Sequence, residues 1–278
     1  MKILAVSGGI DSMVMLHFFR NEKNIIVAHF DHGIRPNSNI DAEFVKKMSQ
    51  KYNLKCVIRR EELGANCSEA FARERRYIFL KNLATQYKAK IYTAHHADDL
   101  LESIAINVVR CTGWRGLVPF RDPLIERPLL NWFKKDIYLY AAKNNIIFRQ
   151  DQTNTDDKYL RNRIRLKFTE LSDLEKQKII DLHLKQKTLS EEIDKIADQL
   201  VSEIIDDERI DRKIFQETDD VVATELLRRT LSQFNHDLTR PQLRLALDAM
   251  RNYHKGKKFN LPQNYFIVFS RKHCKIST

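Results

Sequence analysis

The first half of the chain alternates short, unbroken apolar runs with longer amphipathic stretches. Residues 3–6 form one such run, a helical pattern passes through 13–16, and a second apolar run occupies 25–30. A helix around 42–48 leads to 56–58, a longer amphipathic helix covers roughly 68–85, and 91–94 makes a fourth strand. Strands that are apolar at successive positions are covered on both faces, and helix-length connections return the chain for parallel pairing. The pattern predicts an α/β domain built on a doubly wound parallel sheet.

After about residue 165 the period changes. Leu171, Leu174, Ile179, Leu182, Leu189, Ile193, Ile196, Leu200 and Ile204 recur at helical spacing with charged residues between them, which predicts a long helix or helix pair. Further helices are expected at 219–234 and 240–250, then a hairpin of 257–261 and 265–269 around Pro262-Gln263-Asn264. The expected division is 1–168 for the catalytic α/β domain, 169–205 for a helical linker, and 206–278 for a smaller, mainly helical C-terminal domain that ends in the hairpin.

Charge narrows the class of partner. A net charge of +11 suits a polyanion such as RNA. Cys56, Cys67, Cys111 and Cys274 are scattered without a C-x-x-C pair, so they read as thiols in a reducing cytosol, not as a disulfide or metal framework. Met1 runs straight into the first strand, leaving no room for a signal peptide, and no apolar run approaches the ~20 residues that span a bilayer. The expectation is a cytoplasmic protein with no membrane partner.

The sharpest local signal is Ser7-Gly8-Gly9-Ile10-Asp11-Ser12, placed between the first strand and the first helix. Glycines let backbone N–H groups turn inward toward phosphate oxygens, and the following helix adds its positive end. Ser7 and Ser12 add hydroxyls, and Asp11 is placed to hold a magnesium ion. No G-K-[ST] follows, so this is not a Walker A loop. The string resembles the pyrophosphate loop of the N-type ATP pyrophosphatases, with their adenine-nucleotide α-hydrolase-like fold, which implies cleavage of ATP to AMP and pyrophosphate.

Further clusters follow in order: His29-x-Asp31-His32-x-x-Arg35, Glu69-x-x-Ala72-Arg73-x-x-Arg76-Tyr77, His95-His96-x-Asp98-Asp99-x-x-Glu102 and Arg127-Pro128-Leu129-Leu130. Asp151-Gln152-Thr153-Asn154 and the run from Tyr159 to Arg165 complete the series. Singly, each has a dull reading as a core histidine, a helix cap or a solvated basic face. A zinc site at His95-His96 lacks a convincing fourth ligand. Jointly, the clusters resemble the tRNA(Ile)-lysidine synthetase family over most of residues 1–167, while the tail resembles its tRNA-binding domain weakly. Ser103 stands where that family often has Thr, the loop after Arg110 carries Trp114 and fewer glycines, and the C-terminal region looks like a reduced form.

The resemblance implies ATP-dependent attachment of lysine to C2 of the wobble cytidine in a CAU-anticodon isoleucine tRNA, with Mg²⁺. ATP contacts are then expected at Ser7, Gly8, Gly9, Ile10, Asp11, Ser12, His29, His32, Arg35 and His95, with Asp11 also the candidate magnesium ligand. Catalysis is expected of Asp31, Arg73, Arg76, Asp99 and Glu102, with Asp99 and Glu102 favoured for the lysine ammonium and Asp31 for the base or metal. The division of labour among these carboxylates stays open. Contacts to tRNA are expected at Arg115, Arg127, Lys158, Arg161, Arg163, Arg165 and Lys167. The rivals are a tRNA thiolase, an amidotransferase of the same fold and a nonenzymatic tRNA-binding protein. A homodimer held by the long helix stays open.

Overall fold

β1 (Lys2–Ala5) is the middle strand of a parallel sheet, pairing with β2 (Ile25–Asp31) on one side and β4 (Lys90–Tyr92) on the other. β3 (Lys55–Arg60) lies outside β2 and β5 (Ile125–Glu126) outside β4, giving the order β3-β2-β1-β4-β5. The computed structural model describes residues 1–34, 38–64, 67–149 and 160–277. The chain divides into two compact units, 1–181 and 182–278.

Side chains along the central strands alternate between the two faces of the sheet. Leu4, Val6 and Val27 pack with Met13, Val14 and Leu16 of α1 (Ile10–Phe19), Val45 of α2 (Ser38–Lys51) and Ile137 of α5 (Lys134–Lys143). Ile3, Ile26, Ala28 and Ile91 pack on the other face with Phe79, Leu80 and Leu83 of α3 (Glu69–Tyr87). Every residue of β2 is buried, as its continuous apolar run requires.

The chain winds from β1 outward through α1, β2 and α2 to β3. α3 then carries it back across the sheet to β4, on the far side of β1. The winding reverses between β1 and β4, so the loops after these strands diverge and leave a crevice at their carboxyl ends. Beside it, Leu100 and Leu101 of α4 (Ala97–Val109) cluster with Phe168 of α6 (Leu160–Thr169) and Ile180 of α7 (Asp173–Ile204). α5 and β5 were not legible in the pattern. β5 has two residues, and α5 shows only two buried apolar positions, Ile137 and Ala141, too few to establish a period.

In the second unit, α9 (Asp220–Gln233) and α10 (Arg240–Asn252) contribute Leu226, Leu227, Leu243, Leu247 and Met250 to a core shared with Phe215 of α8 (Lys213–Glu217). β8 (Lys258–Asn260) and β9 (Phe266–Phe269) pair antiparallel around the expected turn. β6 (Ile205–Asp206), β7 (Arg209–Asp211) and β10 (His273–Ser277) extend them into a sheet ordered β6-β7-β10-β9-β8. Buried Arg212 donates to the carbonyls of Met250, Tyr253 and Ser270 at 2.8–2.9 Å, closing the end of α10. Among the described residues no helix is long and apolar enough to cross a membrane.

Candidate active site

The loop after β1 is folded around one hydroxyl. Ser12 Oγ accepts the N–H groups of Ser7 and Gly8, both at 3.1 Å, and donates to the carbonyl of Gly9 at 2.9 Å. Gly8 sits at φ +95°, a conformation in which a Cβ is strained. The N-cap of α1, Gly9, offers no side-chain acceptor. The N–H groups of the first turn therefore keep their capacity to bind an anion.

Facing this loop is the start of α4, where carboxylates gather around a buried imidazole. Asp99 Oδ2 accepts the backbone N–H of His96 at 3.0 Å. The His96 ring lies 3.5 Å from both Asp98 Oδ2 and Asp99 Oδ2, and 3.9 Å from Asp11 Oδ1. Burial pushes the His96 pKa down, but the three carboxylates outweigh it and the net shift is upward. Burial likewise pushes Asp98 up, and here His96 and the N–H of Lys134 prevail, holding it below the usual carboxylate range. Lys134 joins the two loops: its Nζ lies 2.5 Å from Asp11 Oδ1, and its N–H donates to Asp98 Oδ2 at 2.7 Å. One turn further along α4, buried Glu102 takes a two-pronged pair from Arg165 at 2.7 and 3.2 Å, with Arg161 Nε 3.5 Å away.

On the other side of the same junction the field reverses. His95 Nδ1 is 2.8 Å from the Thr93 hydroxyl, and its ring packs 5.1 Å from Phe120. Burial, then Arg127, Arg73, Arg76 and Arg161, push its pKa down to about 3, so the ring is neutral at physiological pH. Arg127 lies 4.5 Å over Phe120 and donates to the carbonyls of Phe120 and Ile125, both at 3.1 Å, while its buried Nε has no hydrogen-bond partner among the described residues. Arg73 and Arg76 lie 4.9 and 5.7 Å from the Tyr77 ring. Burial above all, helped by Arg73 and opposed by Tyr77 and Glu69, depresses the Arg76 pKa. Such a group of cations suits a phosphate.

The remaining expected residues are distributed as follows. Asp31 is buried at the end of β2, where Oδ1 accepts the N–H of Gly33 at 2.9 Å and Oδ2 faces Arg60 at 3.3 Å. His29 is held neutral by burial, and its Nδ1 donates to the carbonyl of Val6 at 2.8 Å. The His32 ring sits edge-on to Phe30 at 4.8 Å. On α6, Arg161 and Arg165 share the face turned to Glu102, although Arg165 is itself exposed, as are Arg163 and Lys167. Arg115 lies 4.5 Å over Trp114 in a 3₁₀ turn, Trp114–Leu117. Arg35, Lys158, the 151–154 motif and Tyr159 lie outside the described residues.

Residues 2–171 match the model of the PP-loop domain. The chain belongs to the PP-loop family. Its PP-loop region is similar to the tRNA(Ile)-lysidine synthase of Thermotoga maritima, 39% identical over 178 residues, covering 59% of this chain and 43% of that protein. The tRNA(Ile)-lysidine synthase of Pseudothermotoga lettingae is 30% identical over 270 residues, covering 89% of this chain and 60% of that protein. The chain thus spans less than two thirds of the length of these curated relatives. A solved U34-tRNA thiolase from Methanococcus maripaludis is similar in fold, with a TM-score of 0.56 at 17% identity, covering 66% of this chain and 70% of that one.

Three residues of the PP-loop crevice were not expected as site residues: Lys134, His96 and Asp98. Lys134 lies in none of the motifs. His96 and Asp98 stand inside the motif of His95 and Asp99, and nothing local distinguishes the environments of the two histidines.

Proposed function

We propose that this PP-loop chain joins lysine to C2 of the wobble cytidine in the CAU anticodon of an isoleucine tRNA, splitting ATP into AMP and pyrophosphate. The observation that carries the reading is the meeting, in one crevice, of an ATP loop, a carboxylate group at Asp98, Asp99 and Glu102, and an arginine group around His95. Similarity to lysidine synthases supports the choice of substrates.

The reaction takes two displacements. The cytidine O2 attacks the α-phosphate of ATP, forming an O–P bond as the bond to pyrophosphate breaks. The lysine ε-amine then forms the N–C2 bond, and the C2–O2 bond breaks as AMP departs. Lysine arrives as an ammonium, with a reference pKa of about 10.4, and must shed its protons. A carboxylate both binds that cation and receives a proton. Asp99 suits this task best: among the described residues only its Oδ2 is committed, to the helix cap and His96. Both oxygens of Glu102 face arginines, which supports a task for Glu102 in setting Arg161 and Arg165 in place. Asp31 has each oxygen engaged, by Gly33 and by Arg60, which supports a role in shaping the end of β2.

Arg73, Arg76, Arg127 and Arg161 would meet phosphate charge, from the α-phosphate or from the anticodon loop, and neutral His95 adds a hydrogen-bonding edge without a charge. Exposed Arg163 and Lys167 would follow the RNA backbone, with Arg115 stacked beside Trp114. Asp11 would hold Mg²⁺. Such an ion on a polyphosphate takes one or two carboxylates and fills its shell with phosphate and water, and the part-exposed Asp11 carboxylate fits that requirement. The ion would offset charge on the departing pyrophosphate.

The test is transfer of radiolabelled lysine to unmodified CAU-anticodon isoleucine tRNA with ATP and Mg²⁺, followed by mild alkali. Label that survives alkali is bonded through nitrogen to the base. Label released by alkali is an ester, and no label at all with tRNA-dependent AMP formation points to another nucleophile. Either of the last two outcomes sinks the reading.

A further inference from the structure

The PP-loop contains no lysine: 7–12 reads Ser-Gly-Gly-Ile-Asp-Ser and runs on into Met13-Val14. Phosphate loops of the G-K-[ST] type carry an ammonium that reaches the terminal phosphates. Here an ammonium arrives from a distant part of the chain. We propose that Lys134 is the pyrophosphate-binding cation of this site, contacting the β- and γ-phosphates of ATP and the pyrophosphate that leaves. The proposal rests on the ATP-splitting reading above and names a residue for the leaving group.

The position of Lys134 is set by the core and not by its own charge. Ile137 and Ala141 of α5 are buried in the cluster that holds Ile10, Met13 and Val14 of α1, so the helix carrying Lys134 is fastened to the helix that follows the PP-loop. The start of α5 is fixed twice through the backbone. Asp136 Oδ2 accepts the N–H of Phe133 at 2.9 Å, and Asp98 Oδ2 accepts the N–H of Lys134 at 2.7 Å. The side chain is left to reach the first turn of α1, where Nζ meets Asp11 Oδ1.

That pair is poorly suited to a structural task. Both side chains are about a third exposed, at 36% and 33%, and ion pairs in contact with water contribute little to stability. A polyphosphate offers more charge and more acceptor oxygens than one carboxylate, and it can take the ammonium over cheaply. The adjacent Lys135 supplies an internal control. It is more exposed, and its ammonium pairs with Asp173 on α7, away from the loop.

The test uses the full chain with inorganic pyrophosphate and AMP as separate calorimetric probes, in the presence of Mg²⁺. Lys134→Met is expected to weaken pyrophosphate binding at least tenfold while AMP affinity and Tm stay at wild-type values. Lys134→Arg should restore most of the loss, and Lys135→Met should behave as wild type. Unchanged pyrophosphate affinity in Lys134→Met overturns the proposal. So does a parallel loss of pyrophosphate and AMP binding with a lowered Tm, which would make Lys134 a structural tie. A wild-type chain that binds neither ATP nor pyrophosphate overturns the ATP reading itself, a result that no Lys134 variant can mimic.

Discussion

His95 and His96 are consecutive, yet they belong to opposite halves of the crevice. The charged neighbours of His95 are guanidiniums, which add to its burial and drive its pKa down to about 3. The neighbours of His96 are mainly the carboxylates of Asp98, Asp99 and Asp11, which overcome burial and drive its pKa up. One step along the junction between β4 and α4 therefore separates a cationic half, fed by α3 and Arg127, from an anionic half, fed by α1 and α4. Burial is common to both rings, and the sign of the local field decides the outcome; under the proposed function the cationic half would take a phosphate and the anionic half an ammonium.

The largest expected effect comes from separating the two halves. Asp99→Asn should lower lysine transfer by about 10²–10³-fold, the range for loss of a positioned proton acceptor, while tRNA-dependent pyrophosphate release falls far less. Arg76→Ala should lower pyrophosphate release by a similar factor, and lysine transfer with it, because transfer needs the adenylylated base. Equal loss of both steps in Asp99→Asn, or undiminished pyrophosphate release in Arg76→Ala, would break the division into halves.

Next in size is the link between the halves at Glu102. This carboxylate is 2% exposed, and Arg165→Gln would leave it with Arg161 alone, at an expected cost of about 2 kcal/mol in urea unfolding. Exposed Arg163→Gln on the same helix should stay within about 0.5 kcal/mol. Equal stabilities would mean that the pair carries no structural weight.

The cationic half should also reveal itself in acid. Because the His95 pKa is lowered in the folded chain, the unfolded chain takes up the proton first as pH falls. The neutral ring's contribution is present above pH 6.5 and is lost on acidification toward pH 3. At pH 5 this amounts to about 2 kcal/mol, so His95→Asn should flatten the fall in stability between pH 6.5 and 5 by roughly that much. Identical pH profiles would show that burial and the arginines together do not lower the ring's pKa.

The smallest expected effect lies outside the crevice. Arg163→Gln and Lys167→Gln should each reduce the salt dependence of RNA binding by about one unit of slope, with AMP binding untouched. Arg161 and Arg165, turned to Glu102, are expected to change it less.

The amino-acid sequence by itself determined what depends on local order. Continuous apolar runs such as 25–30 declared covered parallel strands, and Ser-Gly-Gly-x-Asp-Ser at a strand-to-helix junction declared a phosphate loop, because backbone geometry and helix polarity act over a few residues. The carboxylates Asp99 and Glu102 were legible for the same reason, three apart on one helix start. Tertiary structure decided what depends on distant segments meeting. It placed the reversal of winding between β1 and β4, brought Lys134 to Asp11 across more than a hundred residues, and divided α6 between a face held by Glu102 and a face left to solvent. It also gave adjacent histidines opposite fields. Charge acts through space, so the partner that sets a group's role can lie anywhere along the chain, and only the folded core determines which one it meets.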